Sequence, residues 1–424
     1  MKTTMKQSLL LACELENILS IKDTVRIDFR AANLNTNLTK QLSDNVIEWR
    51  GEKILKTIGL FGANAAGKSN IIRAIIFFCR TILDSHQFNM NKRVFDFVPF
   101  KFDNYPSKPT RFYINFVCDD IEYEYTYTLT QERILSESLY YYPNQKRAKI
   151  FDRQNNEITF GSKVITRPKE VADSLTPKNL FLSRASAMNR PLAQRIYKFF
   201  MHEFMLDLVP IQGDQIEYFF KKYKQLILNA MTCCDSDIVD IILKKRKTIQ
   251  PIPRMQINGE ATIEFAQAEI IEFKTKHRQN PDIEFDMNNE ESEGTKRLFA
   301  ILNVLIEFLH YGKAMLLDEY DRQMHTRLAD FILNLIHASQ ESQLLFTSHN
   351  TNLIDVKRFR RDQILFVGKR EDGSTEVYAL SDFKDFRENM DAEKGYLQGR
   401  FDAVPYVQES MEELKSLLKG GLHE

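Results

Sequence analysis

Residues 62–69 read Gly-Ala-Asn-Ala-Ala-Gly-Lys-Ser, and this octapeptide constrains the chain more than any other feature of its sequence. A short apolar run precedes it at 58–61, and an apolar stretch typical of a helix follows at 71–76. A strand, a glycine-rich loop of this spacing and a helix together form a phosphate-binding loop. A glycine turn that matched the motif by chance would lack this context, so the segment predicts nucleotide binding.

The residue types explain how such a loop would hold phosphate. Gly62 and Gly67 let the backbone curl so that successive N–H groups point inward. The helix that begins near Lys68 adds the positive end of its dipole. We expect Lys68 to reach the β- and γ-phosphates and the Ser69 hydroxyl to ligate Mg²⁺. ATP and Mg²⁺ are therefore the predicted ligands, although the motif alone suits GTP equally well.

A second motif supplies two carboxylates. Residues 313–319 read Lys-Ala-Met-Leu-Leu-Asp-Glu, an apolar strand that ends in two acids. Ligands bind at the carboxyl edge of the strands in an open α/β sheet. Asp318 is predicted to orient the Mg²⁺ shell, and Glu319 to polarise the attacking water. An apolar run ending in Asp-Glu is common, but downstream of a phosphate-binding loop it predicts an ATPase that forms ADP and phosphate.

Two further segments have simple interpretations when taken singly. Ser292-Glu293-Gly294-Thr295 opens an apolar helical stretch, so Ser292 is predicted to cap that helix and its start to form an anion site. Residues 344–350 form an apolar strand ending in Ser348 and His349. A capped helix and a structural histidine are the plain alternatives to functional roles.

Composition narrows the class of protein. Lys+Arg and Asp+Glu both number 58, so no global charge favours nucleic acid or an anionic membrane. The basic clusters at 244–247 and 357–361 are interpreted as solvated helix faces, with phosphate-contacting patches as the alternative. Apolar runs fall short of the ~20 residues that span a bilayer, and the first residues lack the apolar core of a signal peptide. A soluble, cytoplasmic protein without membrane partners is predicted.

The five cysteines do not form a recognisable pattern. Their number is odd and they contain no Cys-x-x-Cys pair, which argues against a disulfide framework and against a zinc site. They are interpreted as small buried hydrophobic residues.

The distribution of apolar residues predicts three regions. Residues 1–167 form an N-terminal lobe with the phosphate loop and an antiparallel β subdomain, in which the alternating, tyrosine-rich run 121–129 favours sheet packing over base stacking. Residues 168–250 form a helical insertion, because apolar residues recur there at spacings of three and four. Residues 251–424 form a C-terminal lobe. Smaller elements are predicted within that lobe, namely strands at 261–265 and 269–273 and an amphipathic helix at 411–418.

The order of these motifs resembles an ABC-type ATPase head of the SMC and RecF class. That class carries asparagines at the positions of Asn64 and Asn70. Six stretches further resemble the stand-alone ATPases of the RloA/AbiLi abortive-infection type, from about residue 8 to 406. They are 99–102, 139–143, 181–183, 292–295, 349–353 and 396–401. The resemblance implies an α/β, ABC/SMC-head-like P-loop NTPase with a mixed sheet, an antiparallel β lobe and a helical insertion.

The resemblance also implies that two subunits enclose two nucleotides. Ser292 and Gly294 would contact the γ-phosphate that Lys68 of the other copy holds, His349 would sense that phosphate, and Asp321 would lie in the loop crossing the interface. The catalytic site would then be complete only in a homodimer or a higher homo-oligomer.

The sequence departs from the ABC pattern at three places. Glu293 stands where the signature has its first glycine, and the loop 320–325 lacks the usual Ser-Ala-Leu-Asp order. The glutamine of the Q-loop is not assigned, with Gln87 and Gln131 as candidates.

Three functions are compatible with these observations. The first is a nucleotide-dependent sensor that regulates a partner effector, a nuclease, in anti-phage defence. The second is an ATPase of the RecF/SMC kind that clamps DNA in repair or chromosome maintenance. The third is a scaffold that binds ATP without turning it over. Glu319 favours turnover, and the balanced charge favours a protein partner over DNA.

Overall fold

The computed structural model describes residues 6–88, 95–161, 164–206, 213–234, 237–255, 261–322 and 324–404. Its strands are, in chain order, β1 (Leu9–Glu16), β2 (Val25–Asp28), β3 (Val46–Trp49), β4 (Glu52–Leu55), β5 (Thr57–Phe61), β6 (Thr110–Cys118), β7 (Ile121–Leu129), β8 (Ile134–Tyr141), β9 (Ala148–Gln154), β10 (Glu157–Phe160), β11 (Phe204–Leu206), β12 (Ile238–Met255), β13 (Ala261–His277), β14 (Asn280–Asp286), β15 (Ala314–Leu317), β16 (Gln343–Thr347), β17 (Ile364–Lys369) and β18 (Thr375–Ala379). Its α-helices are α1 (Asn37–Gln41), α2 (Lys68–Asp84), α3 (Pro168–Asp173), α4 (Phe181–Ala187), α5 (Pro191–Lys198), α6 (Gly213–Cys233), α7 (Glu293–Tyr311), α8 (Thr326–Ala338) and α9 (Ala392–Leu397).

The central sheet has the strand order β11-β15-β16-β5-β17-β18. The first five strands run parallel and β18 is antiparallel, so the sheet is mixed. Every residue of β5, β15 and β16 is buried, which is why these strands read as continuous apolar runs in the sequence. Because these three strands are neighbours and parallel, the phosphate loop after β5 meets the segments after β15 and β16 at one edge of the sheet.

A second, antiparallel sheet has the order β10-β9-β8-β7-β6-β1-β2. The three tyrosines of β7 are at most 1% exposed, so they pack inside the sheet as predicted and are not available to stack on bases. The turn between β6 and β7 places Asp119 and Asp120 at φ 52° and 64°, the positive values that two-residue hairpin turns require. The predicted antiparallel β lobe is therefore confirmed.

Helix α2 lies between the two sheets and carries the phosphate loop at its start. Most of its apolar side chains are buried, while Ile76, Phe77 and Leu83 are partly buried, and Phe78 stacks on Tyr127 of β7 with ring centroids 5.2 Å apart. The Tyr127 hydroxyl also donates a hydrogen bond to the Phe78 carbonyl over 3.2 Å. Burial of each large aliphatic side chain contributes about 1.5–3 kcal/mol. The phosphate loop thus leads into a helix that is packed against the antiparallel sheet.

Between residues 168 and 233 the described segments contain helices and the short strand Phe204–Leu206, and the helical prediction is wrong at Ile238–Met255. Ile238–Met255 is a strand, which pairs along its length with Ala261–His277, so the two short strands predicted at 261–265 and 269–273 are parts of one long strand. The spacing of the isoleucines, three and four residues apart, is typical of a helix. The same spacing also suits a strand whose two faces both carry apolar residues, so it could not distinguish the two. The predicted helix at 411–418 lies outside the described residues.

The other predictions from composition can be compared with the described part of the chain. Within it, none of the helices combines the length and the apolar character needed to cross a membrane. The cysteines are free thiols; Cys13, Cys79 and Cys118 are buried as predicted, whereas Cys233 is exposed and Cys234 half-buried. The predicted α/β class with a mixed sheet, an antiparallel β lobe and a helical insertion is confirmed.

Candidate functional site

The two glycines of the phosphate loop are required by the backbone and by its neighbours. Gly67 has φ 114°, and a Cβ added there would lie 2.0 Å from the Thr375 hydroxyl oxygen. A Cβ on Gly62 would lie 2.2 Å from the Val367 carbonyl oxygen, because β17 runs close beside the loop. No side chain fits in either place, so the glycines serve close packing as well as curvature.

Lys68 is folded over the loop that it terminates. Its ammonium group donates hydrogen bonds to the carbonyls of Gly62 (2.7 Å) and Ala63 (2.9 Å), and the residue is 5% exposed. Burial lowers the pKa of Lys68 to about 8, although the charges of Asp318 and Glu319 act in the opposite direction. A phosphate group entering the loop would therefore meet an ammonium group already held at its centre.

The Ser69 hydroxyl and the Asp318 carboxylate, the two groups expected to ligate Mg²⁺, lie within hydrogen-bond distance of each other. The Ser69 hydroxyl donates to Asp318 Oδ1 over 3.1 Å, and the Thr347 hydroxyl donates to the same oxygen over 2.6 Å. A hydroxyl and a carboxylate are the hard oxygen ligands that Mg²⁺ prefers, so this pair fits the ion. Thr347 was not identified from the sequence; its position at the end of β16, next to the carboxylates, was the available signal.

Glu319 is held in an unusual conformation. Its φ is 47°, in the left-handed region that non-glycine residues rarely adopt, and its N–H donates to the Thr347 hydroxyl over 2.7 Å. Its carboxylate lies between the Arg322 guanidinium and the His349 imidazole. Arg322 Nη1 is 3.3 Å from Oε2, and His349 Nε2 is 3.8 Å from Oε1. Such local strain is typical of functional sites, where the surrounding structure holds a side chain in place.

His349 follows β16 and faces the same carboxylate. Burial, followed by the positive charge of Lys68, lowers the pKa of His349, and the nearby carboxylates only partly oppose this. The imidazole is therefore neutral near pH 7 and is able to accept or donate a hydrogen bond there.

These side chains surround one cleft of about 780 Å³. Most of the predicted site residues line this cleft. Asp318 does not line it, but it accepts a hydrogen bond from Ser69, which does. Its lining residues are Ala63, Asn64, Ala65, Gly67, Lys68, Ser69, Asn70, Glu319, Arg322 and His349.

The predicted signature residues lie elsewhere. Ser292 caps α7 as expected, since its hydroxyl accepts a hydrogen bond from the Thr295 N–H over 3.1 Å. Ser292 is exposed, and neither it nor Gly294 is among the described residues that line the cleft. The two candidate Q-loop glutamines, Gln87 and Gln131, are likewise not among them.

Asp321 points towards the strand end that precedes His349. Its carboxylate accepts a hydrogen bond from the Ser348 hydroxyl over 2.8 Å, and burial raises the pKa of Asp321. The loop after Glu319 is thereby tied to the end of β16 within one chain.

Two segments that the sequence did not single out brace the phosphate loop. The Thr375 hydroxyl donates to the Ala66 carbonyl over 2.8 Å and lies 2.7 Å from the Ser20 hydroxyl. Asn70 in turn donates to the Ser20 hydroxyl over 2.8 Å. The second asparagine of the motif thus acts through Ser20 on the loop, a relation that sequence spacing does not reveal.

A third segment, residues 396–403, is here called the C-terminal strap. Its Ala403 carbonyl accepts hydrogen bonds from the Ala63 N–H (2.9 Å) and from the Tyr396 hydroxyl (3.2 Å). Phe401 stacks on Phe366 of β17 at 4.8 Å between ring centroids. The strap therefore connects β17 to the start of the phosphate loop.

A known protein family matches this chain in sequence. The sequence model of a protein family described as "AAA domain, putative AbiEii toxin, Type IV TA system" matches residues 58–190 and 252–355. A sequence comparison with curated proteins gives no match. The matched residues include the phosphate loop, the two carboxylates and His349.

Among solved structures, the chain is similar to three SMC heads. An SMC head bound to the C-winged helix domain of ScpA is 18% identical with a TM-score of 0.41, over 87% of this chain and 97% of that one. The SMC head of Thermotoga maritima is 12% identical with a TM-score of 0.39, over 87% and 98%. The Smc head with an extended coiled coil, bound to the C-terminal domain of ScpA derived from Pyrococcus furiosus, is 14% identical with a TM-score of 0.35, over 88% and 96%.

The family match covers more than half of the 424 residues and includes the whole phosphate loop, both carboxylates and His349. The chain therefore belongs to this AAA-domain family of P-loop ATPases.

Proposed function

We propose that the protein binds ATP with Mg²⁺ in this cleft, hydrolyses it, and uses the nucleotide state to regulate a partner effector, a nuclease, in anti-phage defence in the cytoplasm. The observation that carries the proposal is the convergence of Lys68, Glu319 and His349 on one cleft, with the Ser69–Asp318 pair behind it. Each part of a phosphoryl-transfer site is thus represented.

The residues have separate roles in the proposed reaction. Lys68 and the loop N–H groups bind the phosphates, and Ser69 and Asp318 hold Mg²⁺, which neutralises developing charge. Glu319 accepts the proton of the attacking water. The neutral His349 orients the water or the terminal phosphate by a hydrogen bond, which its lowered pKa favours.

We further propose that a second copy completes each site. Ser292 stands exposed at the start of α7, a helix of 19 residues whose N-terminus carries the positive end of its dipole. In a homodimer, Ser292 and Gly294 of one copy would face the terminal phosphate bound by the other. Hydrolysis would then depend on assembly, which couples the nucleotide state to the partner state.

The defence role is supported by the family description, which names a toxin of a toxin–antitoxin system. Within the family we place the chain with the stand-alone RloA/AbiLi type, on the six stretches quoted above. The proposed effector is a separate protein, and the scaffold alternative is disfavoured by the position of Glu319 in the cleft.

DNA clamping, the alternative, receives less support from the surface. In the first basic cluster, Lys244 pairs with Glu284, Lys245 with Glu217 over 2.8 Å, and Arg246 with Glu272 over 3.5 Å. These charges are compensated locally, and they lie on a strand and not on the predicted helix face.

Two arginines of the second cluster are also paired with carboxylates. Arg358 pairs with Asp330 over 2.7 Å, and Arg360 is 4% exposed and pairs with Asp362 over 2.8 Å. An alanine at Arg360 would disturb the interior and would not report DNA contacts. Arg358 is the residue of this cluster at which a salt-dependent DNA contact can be tested.

The test is capture of the tagged Glu319→Gln protein from its host in the presence of ATP. We expect a stoichiometric nuclease-like or toxin-like companion, and we expect Lys68→Ala, which cannot bind ATP, to lose it. Recovery of nuclease-sensitive DNA with no protein companion would instead establish the clamp. Purified wild-type protein must also release phosphate from ATP, and Glu319→Gln must not; equal rates would reject Glu319 as the base.

A further inference from the structure

Arg322 lies three residues after Glu319 and lines the same cleft as the phosphate loop. Its guanidinium Nη1 is 3.3 Å from Glu319 Oε2, and its side chain is 69% exposed. The ABC-type motif pattern assigns no role to this position, because the loop 320–325 departs from the usual order. An exposed cation thus stands beside the proposed base at the mouth of a nucleotide cleft.

The other cations in the cleft are already engaged or uncharged. Lys68 donates to two backbone carbonyls, and the pKa of His349 is lowered so that its imidazole is neutral near pH 7. Among the described residues that line the cleft, Arg322 is therefore the cation paired with the Glu319 carboxylate. The pair engages Oε2, one of the two carboxylate oxygens that could accept a proton from an attacking water, and the positive charge of Arg322 repels a proton arriving at either oxygen.

An exposed ion pair of this kind is weak and is easily exchanged. A terminal phosphate carries more negative charge than a carboxylate and offers guanidinium the same two-point hydrogen bonding. The two anions would compete for one guanidinium, since both lie along the cleft that Arg322 lines.

We propose that Arg322 is a nucleotide-responsive gate. In the empty cleft it covers Glu319; when ATP binds, it transfers to the terminal phosphate and leaves Glu319 free to accept the proton of water. ADP lacks that phosphate and leaves Arg322 on Glu319. This inference rests on the proposed ATPase function and adds to it a positioning residue that distinguishes the triphosphate from the diphosphate.

The experiment compares binding of a non-hydrolysable ATP analogue and of ADP to the full chain by calorimetry. The variants are Arg322→Gln, Arg322→Lys and the control Arg327→Gln, which removes another exposed arginine, from the first turn of α8, that is not among the described residues lining the cleft. We expect Arg322→Gln to weaken binding of the ATP analogue at least about tenfold and of ADP less than about twofold, as loss of one charged phosphate contact predicts. Arg322→Lys should recover part of the difference, and Arg327→Gln should change neither affinity.

Two results would overturn the gate. If Arg322→Gln loses affinity equally for both nucleotides, Arg322 attracts anions in general. If it loses affinity for neither, the Arg322–Glu319 pair is only a surface contact. Circular dichroism and unfolding curves of Arg322→Gln that match those of the wild type exclude misfolding as the cause. If the wild type itself binds neither nucleotide while remaining folded, the proposed function fails and the gate fails with it.

Discussion

The amide of Ala63 donates a hydrogen bond to the carbonyl of Ala403 over 2.9 Å, so the phosphate loop is fastened to a residue near the far end of the described chain. The same carbonyl accepts the Tyr396 hydroxyl, which fixes its direction. The motif 396–401, conspicuous in the sequence without an evident chemical role, therefore acts on the geometry of the loop.

Removing the Tyr396 hydroxyl should loosen this connection without removing the ring. We expect Tyr396→Phe to lower the free energy of unfolding by ~1 kcal/mol and to weaken nucleotide binding about fivefold. Urea unfolding and calorimetric titration measure the two effects. Tyr378→Phe is the matched control, because its hydroxyl donates to the neighbouring Phe401 carbonyl and not to Ala403. If both variants weaken binding equally, the specific role of the Ala403 carbonyl is refuted.

Alanine at Gly67 should be far more harmful than at another glycine with positive φ. Gly67→Ala meets the Thr375 hydroxyl at 2.0 Å, whereas Gly399, at φ 78°, has nothing within 4 Å of the added Cβ. We expect Gly399→Ala to cost about 1–2 kcal/mol of unfolding free energy from backbone strain alone. Gly67→Ala should cost more and abolish nucleotide binding. Denaturant unfolding together with nucleotide titration checks this, and equal costs would mean that the Thr375 contact relaxes freely.

Completion of each site by a second copy predicts complementation between two inactive variants. Lys68→Ala removes the phosphate contact, and Ser292→Arg blocks the start of α7 in the other half of the site. Each alone should be inactive, whereas an equal mixture should regain about one quarter of the wild-type rate, since half of the dimers are mixed and have one intact site. Phosphate release measures this. If the two variants are shown to exchange subunits and their mixture is still inactive, the second copy does not complete the site.

His337 should make stability depend on pH. Burial, assisted by the charge of Lys56, lowers the pKa of His337 to about 4, and its Nε2 lies 2.8 Å from the Thr57 hydroxyl. The folded protein therefore disfavours the protonated form, so stability is lost as the pH falls from about 6.5 to about 4, by at most about 3 kcal/mol. Urea unfolding at pH 7 and pH 4.5 should show a smaller difference for His337→Gln than for the wild type. An identical pH dependence would exclude His337 as the source.

The sequence predicted the phosphate loop and the carboxylate strand because their chemistry is local. Glycines that approach neighbouring backbone, a lysine next to them and acids at a strand end have fixed spacings that can be read without knowing the fold. The same holds for Ser292, whose role as a helix cap depends on the three residues that follow it.

Contacts between distant segments could not be predicted in this way. Ser20 comes from the connection between β1 and β2 of the antiparallel sheet and Thr375 from β18 of the central sheet, and no pattern in either segment refers to the other. The hairpin of β12 and β13 was missed for a related reason: its stabilising partners lie across the strand pair, while spacing along one strand also suits a helix. Arg322 was passed over because its significance depends on the direction of one side chain.

The strap has a consequence for how the protein is made. The phosphate loop leaves the ribosome before Thr375 and Ala403, which brace it and follow more than three hundred residues later. At typical synthesis rates of about 5–20 residues per second, roughly 15–70 s pass between the two events. During this interval the nascent chain carries the nucleotide motif without the geometry that shapes it. Nucleotide capture, and any assembly that depends on it, thus becomes a property of chains in which residues 375–403 have also been made.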